Sequence, residues 1–229
     1  MIPIAACAGD AEYTLQQLAA PLDLKGLVPG AKAWEVELGF GKGRYLLRRA
    51  EAEPDRGFVG VEMASSYYHL AQRRMTRRRL TNTVLIHGEA LYLLSAVLPR
   101  GFASAVHVYF PDPWPKARHQ KRRLFDAETI DLVLDLLTED GRLYFATDFL
   151  EYGDAVKEIL DSYPPIEVTE VSGLWTDGAR TNYESKYLQE GRPILRLEVR
   201  RDAPTGAPLH PRGEASVLAA VGVRKEVEI

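Results

Sequence analysis

Short apolar runs alternate along the chain with longer segments of helical periodicity, and few architectures besides a mostly parallel sheet covered by helices satisfy that alternation. Ala33 to Leu38 reads as a first strand ending in a glycine turn, and Arg44 to Ala52 as the helix after it. Gly57 to Met63, Val84 to His87, Ala103 to Phe110 and Arg142 to Thr147 read as further strands, the last after a turn at Asp140-Gly141. Between them lie helices over Ser65 to Leu80 and Tyr92 to Leu98, and one with the stripe Ile130, Val133, Leu134, Leu137 that Asp126 could cap. A helix from Tyr152 to Ser162 precedes two last strands, Ile166 to Val171 and Ile194 to Val199. The polar stretch Ser172 to Arg192 leaves little room for a helix, so that pair is expected to be antiparallel. The predicted architecture is α/β and Rossmann-like: seven strands, mostly parallel with one antiparallel, and helices on both faces. One domain should span residues 1–201, with a short extension over 1–30, followed by a Pro- and Gly-containing tail over 202–229.

The net charge of −3 and pI near 6.0 hide a strong segregation. No acidic residue occurs between Glu62 and Glu89, where Arg73, Arg74, Arg77, Arg78 and Arg79 fall. None occurs between Asp112 and Asp126 either, where Lys116, Arg118, Lys121, Arg122 and Arg123 fall. Local basic fields of this kind attract a polyanion whatever the total charge. Cys7 is the only cysteine, which excludes an internal disulfide and fits a reducing compartment. The start Met1 to Ala8 lacks the basic residues of a secretion signal, and no stretch approaches the length of a membrane span, so a cytoplasmic protein with no membrane association is expected. His69, His87, His107, His119 and His210 show no metal-ligand spacing, and no metal site is expected. His107, between valines on a strand, reads as a core or sheet-face residue, and Tyr67, Tyr68 and Met75 as helix packing.

The first strand runs into Gly39-Phe40-Gly41-Lys42-Gly43 and then a helix. Glycines there allow a tight turn and the close approach of a ligand. The spacing is G-x-G-x-G, not the G-x-G-x-x-G of dinucleotide binders, whose helix N-terminus receives a pyrophosphate. A cofactor with a cationic amino-acid tail favours a carboxylate instead, and Glu37 at the strand end supplies one. Glu62, ending the second strand, can accept from both hydroxyls of an adenosine ribose, and Glu89, past the third, from the adenine amino group. These features favour S-adenosylmethionine over a nicotinamide dinucleotide. The fourth strand ends in Phe110-Pro-Asp-Pro-Trp-Pro-Lys116. Its prolines should push each preceding residue to extended conformations and stiffen a platform that carries a carboxylate (Asp112), an aromatic face (Trp114) and a cation (Lys116). An unstacked base could stack on that aromatic.

That motif, the run Ala117-Arg-His-Gln-Lys-Arg-Arg123, Ala146-Thr147-Asp148 and Thr181-Asn182-Tyr183-Glu184 together resemble the bacterial tRNA (guanine-N7-)-methyltransferases, class I enzymes that use S-adenosylmethionine. The resemblance extends from about Trp34 to Val199. It implies a cofactor site of Glu37, Gly39, Gly41, Gly43, Glu62, Glu89 and Asp112, with Asp112 also catalytic. It implies substrate contacts from Lys116, Asp148, Thr181 and Glu184, and RNA contacts from Arg118, His119, Lys121, Arg122 and Arg123. The product would be N7-methylguanosine in tRNA, at guanosine 46 of the variable loop. Position 89 is Glu where the family usually has Asp, and a longer N-terminal RNA-binding arm is expected to be reduced.

The chemistry agrees with this reading. Guanine N7 carries a free lone pair, so methyl transfer needs in-line positioning and stabilisation of the positive charge moving onto the purine, not a strong base. Asp112 suits the second task, and Glu184 could accept from guanine N1–H and its exocyclic amine together. A methyltransferase acting on a small molecule or on a protein leaves the two basic stretches without a role, whereas one acting on a different RNA site stays as an alternative. An oxidoreductase fails on glycine spacing, and a non-catalytic RNA binder does not account for the carboxylates at positions 37, 62 and 112. Either a monomer or a homodimer is compatible with the sequence.

Overall fold

A computed structural model describes residues 5–9, 11–14, 21–114, 118, 123–163 and 166–204. The strands are β1 (Ala5–Ala8), β2 (Ala11–Thr14), β3 (Ala33–Leu38), β4 (Arg56–Glu62), β5 (Thr83–His87), β6 (Ala103–Tyr109), β7 (Leu137–Thr147), β8 (Ile166–Glu170) and β9 (Leu195–Arg201). The helices are α1 (Leu24–Leu27), α2 (Arg44–Ala52), α3 (Ser65–Arg78), α4 (Ala90–Tyr92, running into a π-helical turn at Leu93–Val97), α5 (Ala127–Leu136), α6 (Leu150–Asp161) and α7 (Asn182–Gln189). None of the described helices is long and apolar enough to cross a membrane.

One sheet joins all the strands in the order β2-β1-β5-β4-β3-β6-β7-β9-β8. The run β5-β4-β3-β6-β7 is parallel, and β9 lies antiparallel to both of its neighbours, as expected for the last pair. The seven expected strands are all present, but the sheet has nine, because residues assigned to an extension form the antiparallel hairpin β1–β2 on the β5 edge. Its Ala-Ala-Cys-Ala and Ala-Glu-Tyr-Thr sequences lack the run of β-branched residues that announces a strand. The stretch Ser172 to Arg192, expected to be helix-free, contains α7. The turn at Asp140-Gly141 lies inside the longer β7: Asp140 takes φ +60° and the pairing with β6 shifts register there.

The two faces of the sheet differ in chemistry. Val36, Leu38, Val59, Val61, Val106, Val108, Leu143, Phe145, Leu197 and Val199 point to one side and pack beneath the π turn, α5 and α6 in the largest apolar cluster. On the other side the same strands present Glu35, Glu37, His107, Tyr109, Tyr144 and Arg196, beneath α2 and the segment around Trp175. Period-two alternation thus puts two glutamates of β3 inside the protein on its polar side. Helix α2 lies close over β4 at Gly60, where an added Cβ would sit 2.4 Å from Leu46 Cδ2 and 2.7 Å from Phe40 Cδ1. Gly60→Ala is therefore expected to destabilise by about 1–3 kcal/mol through overpacking, despite the strand preference it gains. A urea midpoint at or above wild type would show that α2 can shift to make room.

Candidate active site

At β3 the direction of strand succession reverses, with β4 on one side and β6 on the other. Open α/β sheets bind ligands in the crevice outside the carboxyl ends of the strands at such a switch point. Glu37, Glu62, Glu89, Asp112 and Asp148 all fall at or just past the ends of the five parallel strands.

The glycine turn has the backbone its residues require. Gly39, Gly41 and Gly43 take φ of +70°, +53° and +67°, and Gly43 starts α2. Nothing lies within 4 Å of where a Cβ would stand on Gly39 or Gly41, so the turn borders open space. Glu62 fixes it: one carboxylate oxygen accepts from Gly41 N at 2.7 Å and the other from Ala64 N at 2.8 Å, where α3 begins. Arg74 of α3 donates to Lys42 O at 2.6 Å from outside. Glu37 is buried beneath α2 and accepts from Leu46 N at 3.0 Å. Burial pushes its carboxyl up to about 8; the Leu46 N–H opposes this, and negative Glu62 adds to it. No cation pairs with Glu37 among the described residues. A buried carboxylate lacking a countercharge, next to open space and a second carboxylate, fits a cofactor that carries sulfonium and ammonium charges. Glu89 is half-buried at the start of α4.

Residues 110–114, after β6, are held by neighbouring contacts, and not in the conformations that the prolines suggested. Phe110 and Trp114, each directly before a proline, take left-handed φ of +52° and +39° instead of extended conformations. Such geometry costs about 1–3 kcal/mol per residue and persists only when neighbours impose it. Phe110 N donates to Ala146 O at 2.7 Å, and the Phe110 ring packs on Tyr187 and Tyr183 of α7, with centroids 5.4 and 6.4 Å away. Arg123 donates from Nε to Pro113 O at 2.9 Å and lies 4.7 Å over the Tyr152 ring. That arginine, expected on the RNA, spends its described contacts on holding the loop. Asp112, at the loop's centre, is exposed.

Asp148 accepts from Arg192 at 3.2 Å. Thr181 caps α7 by accepting from Glu184 N at 3.0 Å. Arg118 is exposed, while Lys116, His119, Lys121 and Arg122 lie outside the described residues. Glu184 departs from its expected place. It is fully buried, with one oxygen accepting from Arg180 N at 2.7 Å and the other from Arg196 Nε at 2.7 Å, so no part of it faces the crevice to meet a guanine edge. Thr181-x-x-Glu184 is also the capping-box pattern that starts a helix, a signal for α7 legible in the sequence but read as a substrate motif. Sequence reasoning also missed Glu35 and Arg180, both buried on the polar face of the sheet. The only hint was the alternation of polar and apolar residues in β3 and β6.

Residues 31–197 match the sequence model of a family described as "Putative methyltransferase". Among similar curated proteins, the tRNA (guanine-N(7)-)-methyltransferase of Nitrosococcus oceani is 32% identical over 82% of this chain and 80% of its own length. The protein of the same name from Leifsonia xyli subsp. xyli is 34% identical over 78% of this chain and 81% of its own. In fold, the chain is similar to a 30S ribosomal A1408 methyltransferase from an uncultured bacterium, with a TM-score of 0.60 and 19% identity over 86% of this chain and 99% of that one. With the acidic cofactor crevice at the switch point and the constrained loop beside it, these likenesses place the chain in the tRNA (guanine-N(7)-)-methyltransferase family.

Proposed function

We propose that this protein methylates N7 of a guanine in tRNA, with guanosine 46 of the variable loop as the site the sequence resemblance favours. The carrying observation is the pairing of Glu37, buried without a countercharge at an open glycine turn, with exposed Asp112 on a fixed loop. S-adenosylmethionine, when bound, supplies an electrophilic methyl group. The chain's own residues then have three tasks. Glu37 and Glu62 hold the cationic tail and the ribose, and the glycine turn lets them approach closely. Asp112 presents negative charge where the purine becomes positive, an interaction stronger in the transition state than in the ground state. Asp148 and Thr181, on the neighbouring strand end and on the cap of α7, line the side from which the nucleotide enters. The basic residues past the loop attract the phosphate backbone.

The test incubates the protein with labelled S-adenosylmethionine and unmodified tRNA transcripts, then maps label by cleavage specific for N7-methylguanosine. Asp112→Ala is expected to lower kcat by about 100-fold, and to leave the melting temperature unchanged because the side chain is exposed. Label at another guanosine would keep the activity and sink the position. Transfer to a non-RNA acceptor, with none to tRNA, would sink the substrate class.

A further inference from the structure

Beneath α2 lies a polar chain to which the proposed reaction gives no role. Arg180 is 7% exposed. Its guanidinium sits 4.4 to 5.9 Å from the ring centroids of Trp175, Tyr144, Tyr45 and Tyr109. It donates from Nη1 to the Tyr109 hydroxyl at 2.6 Å and from Nε to Asp177 at 2.8 Å. Tyr109 Oη lies 2.9 Å from His107 Nδ1, and His107 Nε2 lies 3.1 Å from Glu35 Oε2. One donor assignment satisfies every contact. Arg180 donates to Tyr109, Tyr109 to Nδ1 of a neutral imidazole, and the opposite ring N–H to the Glu35 carboxylate, whose other oxygen takes Arg49 and Arg56.

The ends of this chain matter for placement. Arg180 directly precedes Thr181, and its own N–H is held by Glu184. Tyr109 is the last residue of β6 and directly precedes the strained Phe110 of the Asp112 loop. Glu35 lies two residues before Glu37 on the cofactor strand. We propose that Arg180 is a positioning residue: through Tyr109 and His107 it locks the Thr181 segment and the Asp112 loop into one register against β3. The proposal rests on the methyl-transfer reading for its kinetic consequence but not for its structural one. An arginine serves here and a lysine does not, because only a planar fork can bond Tyr109 and Asp177 while lying against aromatic faces. Loop misplacement of about 1 Å in an active site costs up to about 100-fold in rate.

Two variants test this. Arg180→Lys keeps the charge and loses the fork, and Tyr109→Phe deletes one hydroxyl with little change in volume. Both are expected to lower kcat for tRNA by roughly 10–100-fold, while S-adenosylmethionine affinity stays within about twofold, since no described hydrogen bond or ion pair joins either residue to Glu37 or Glu62. The double variant should lose no more than the worse single one, as members of one chain do. A merely structural role would lower the melting temperature of both and leave kcat per folded molecule at the wild-type value, which would overturn the proposal. Amide exchange supplies a readout independent of any reaction. Both variants should speed exchange at Phe110 N–H, and unchanged exchange there would also overturn it. If the wild type methylates no tRNA, the functional reading fails and the exchange data alone decide the positioning role.

Discussion

Glu184→Ala is expected to lower unfolding stability by about 3–5 kcal/mol, because it breaks a buried ion pair on one side only. The side chain is fully buried, and its partner Arg196, 4% exposed, already has one guanidinium nitrogen without a hydrogen bond among the described residues. Removing the carboxylate strands the rest of that charge on the polar face of the sheet, and Arg180 N loses its acceptor as well. Glu184→Gln keeps the shape and one acceptor, so about 1–3 kcal/mol is expected from the poorer match of its amide. Urea unfolding of both variants measures the difference. If Glu184→Ala falls within about 1 kcal/mol of wild type, the buried pair is not holding the frame, and the carboxylate is free to recognise a base as the sequence suggested. Loss of activity in Glu184→Ala alone does not distinguish these roles.

Glu37→Gln is expected to stabilise the cofactor-free protein, increasingly so as pH rises. The folded carboxyl titrates at about 8 because burial penalises its charge, against 4.5 for an unperturbed one. Between those values the folded state keeps a proton that the unfolded state has released. The wild type therefore loses stability as pH climbs through that window, and the loss is complete once the pH exceeds the folded value. The glutamine amide of the variant stays neutral throughout and escapes the penalty. The two proteins should melt alike at about pH 4.5 and differ by a few kcal/mol at about pH 8 and above. At about pH 8 and above, where the wild-type carboxyl is ionised, the variant should bind S-adenosylmethionine about 10–100-fold more weakly, having lost a charged acceptor, and the difference should shrink toward pH 4.5. Melting curves at several pH values, with and without the methyl donor, measure both effects. A stability difference that does not grow with pH would show that Glu37 ionises readily in the fold.

Legibility from sequence followed the chemistry of each segment. Strand β3 and helix α2 have their expected bounds, because an apolar run, a glycine turn and an amphipathic helix each carry a strong local signal. The carboxylates at the ends of β3, β4, β5 and β6 were placed for the same reason, since strand ends fix their position. Helix α7 escaped because Glu184 is its only buried residue, so it has no apolar stripe. The arrangement around Arg180 escaped for a different reason. It is assembled from β3, α2, β6, β7 and the 175–180 segment, and partners so far apart leave no periodic trace in any single stretch. Phe110 and Trp114 show the limit of local rules: proline restricts the residue before it, yet both take the left-handed region, Phe110 under contacts with Ala146 and α7.

The hairpin β1–β2 lies ahead of residues 31–197, the region shared with the family. Without it, the parallel sheet would end at β5, whose Thr-Val-Leu-Ile-His strand would offer a row of unpaired amides and carbonyls, flanked by apolar side chains, to any passing strand. The hairpin moves that border to β2, a four-residue strand too short to recruit a partner efficiently. Two four-residue strands thereby cover the edge of the sheet that would otherwise be open to edge-to-edge pairing with another strand.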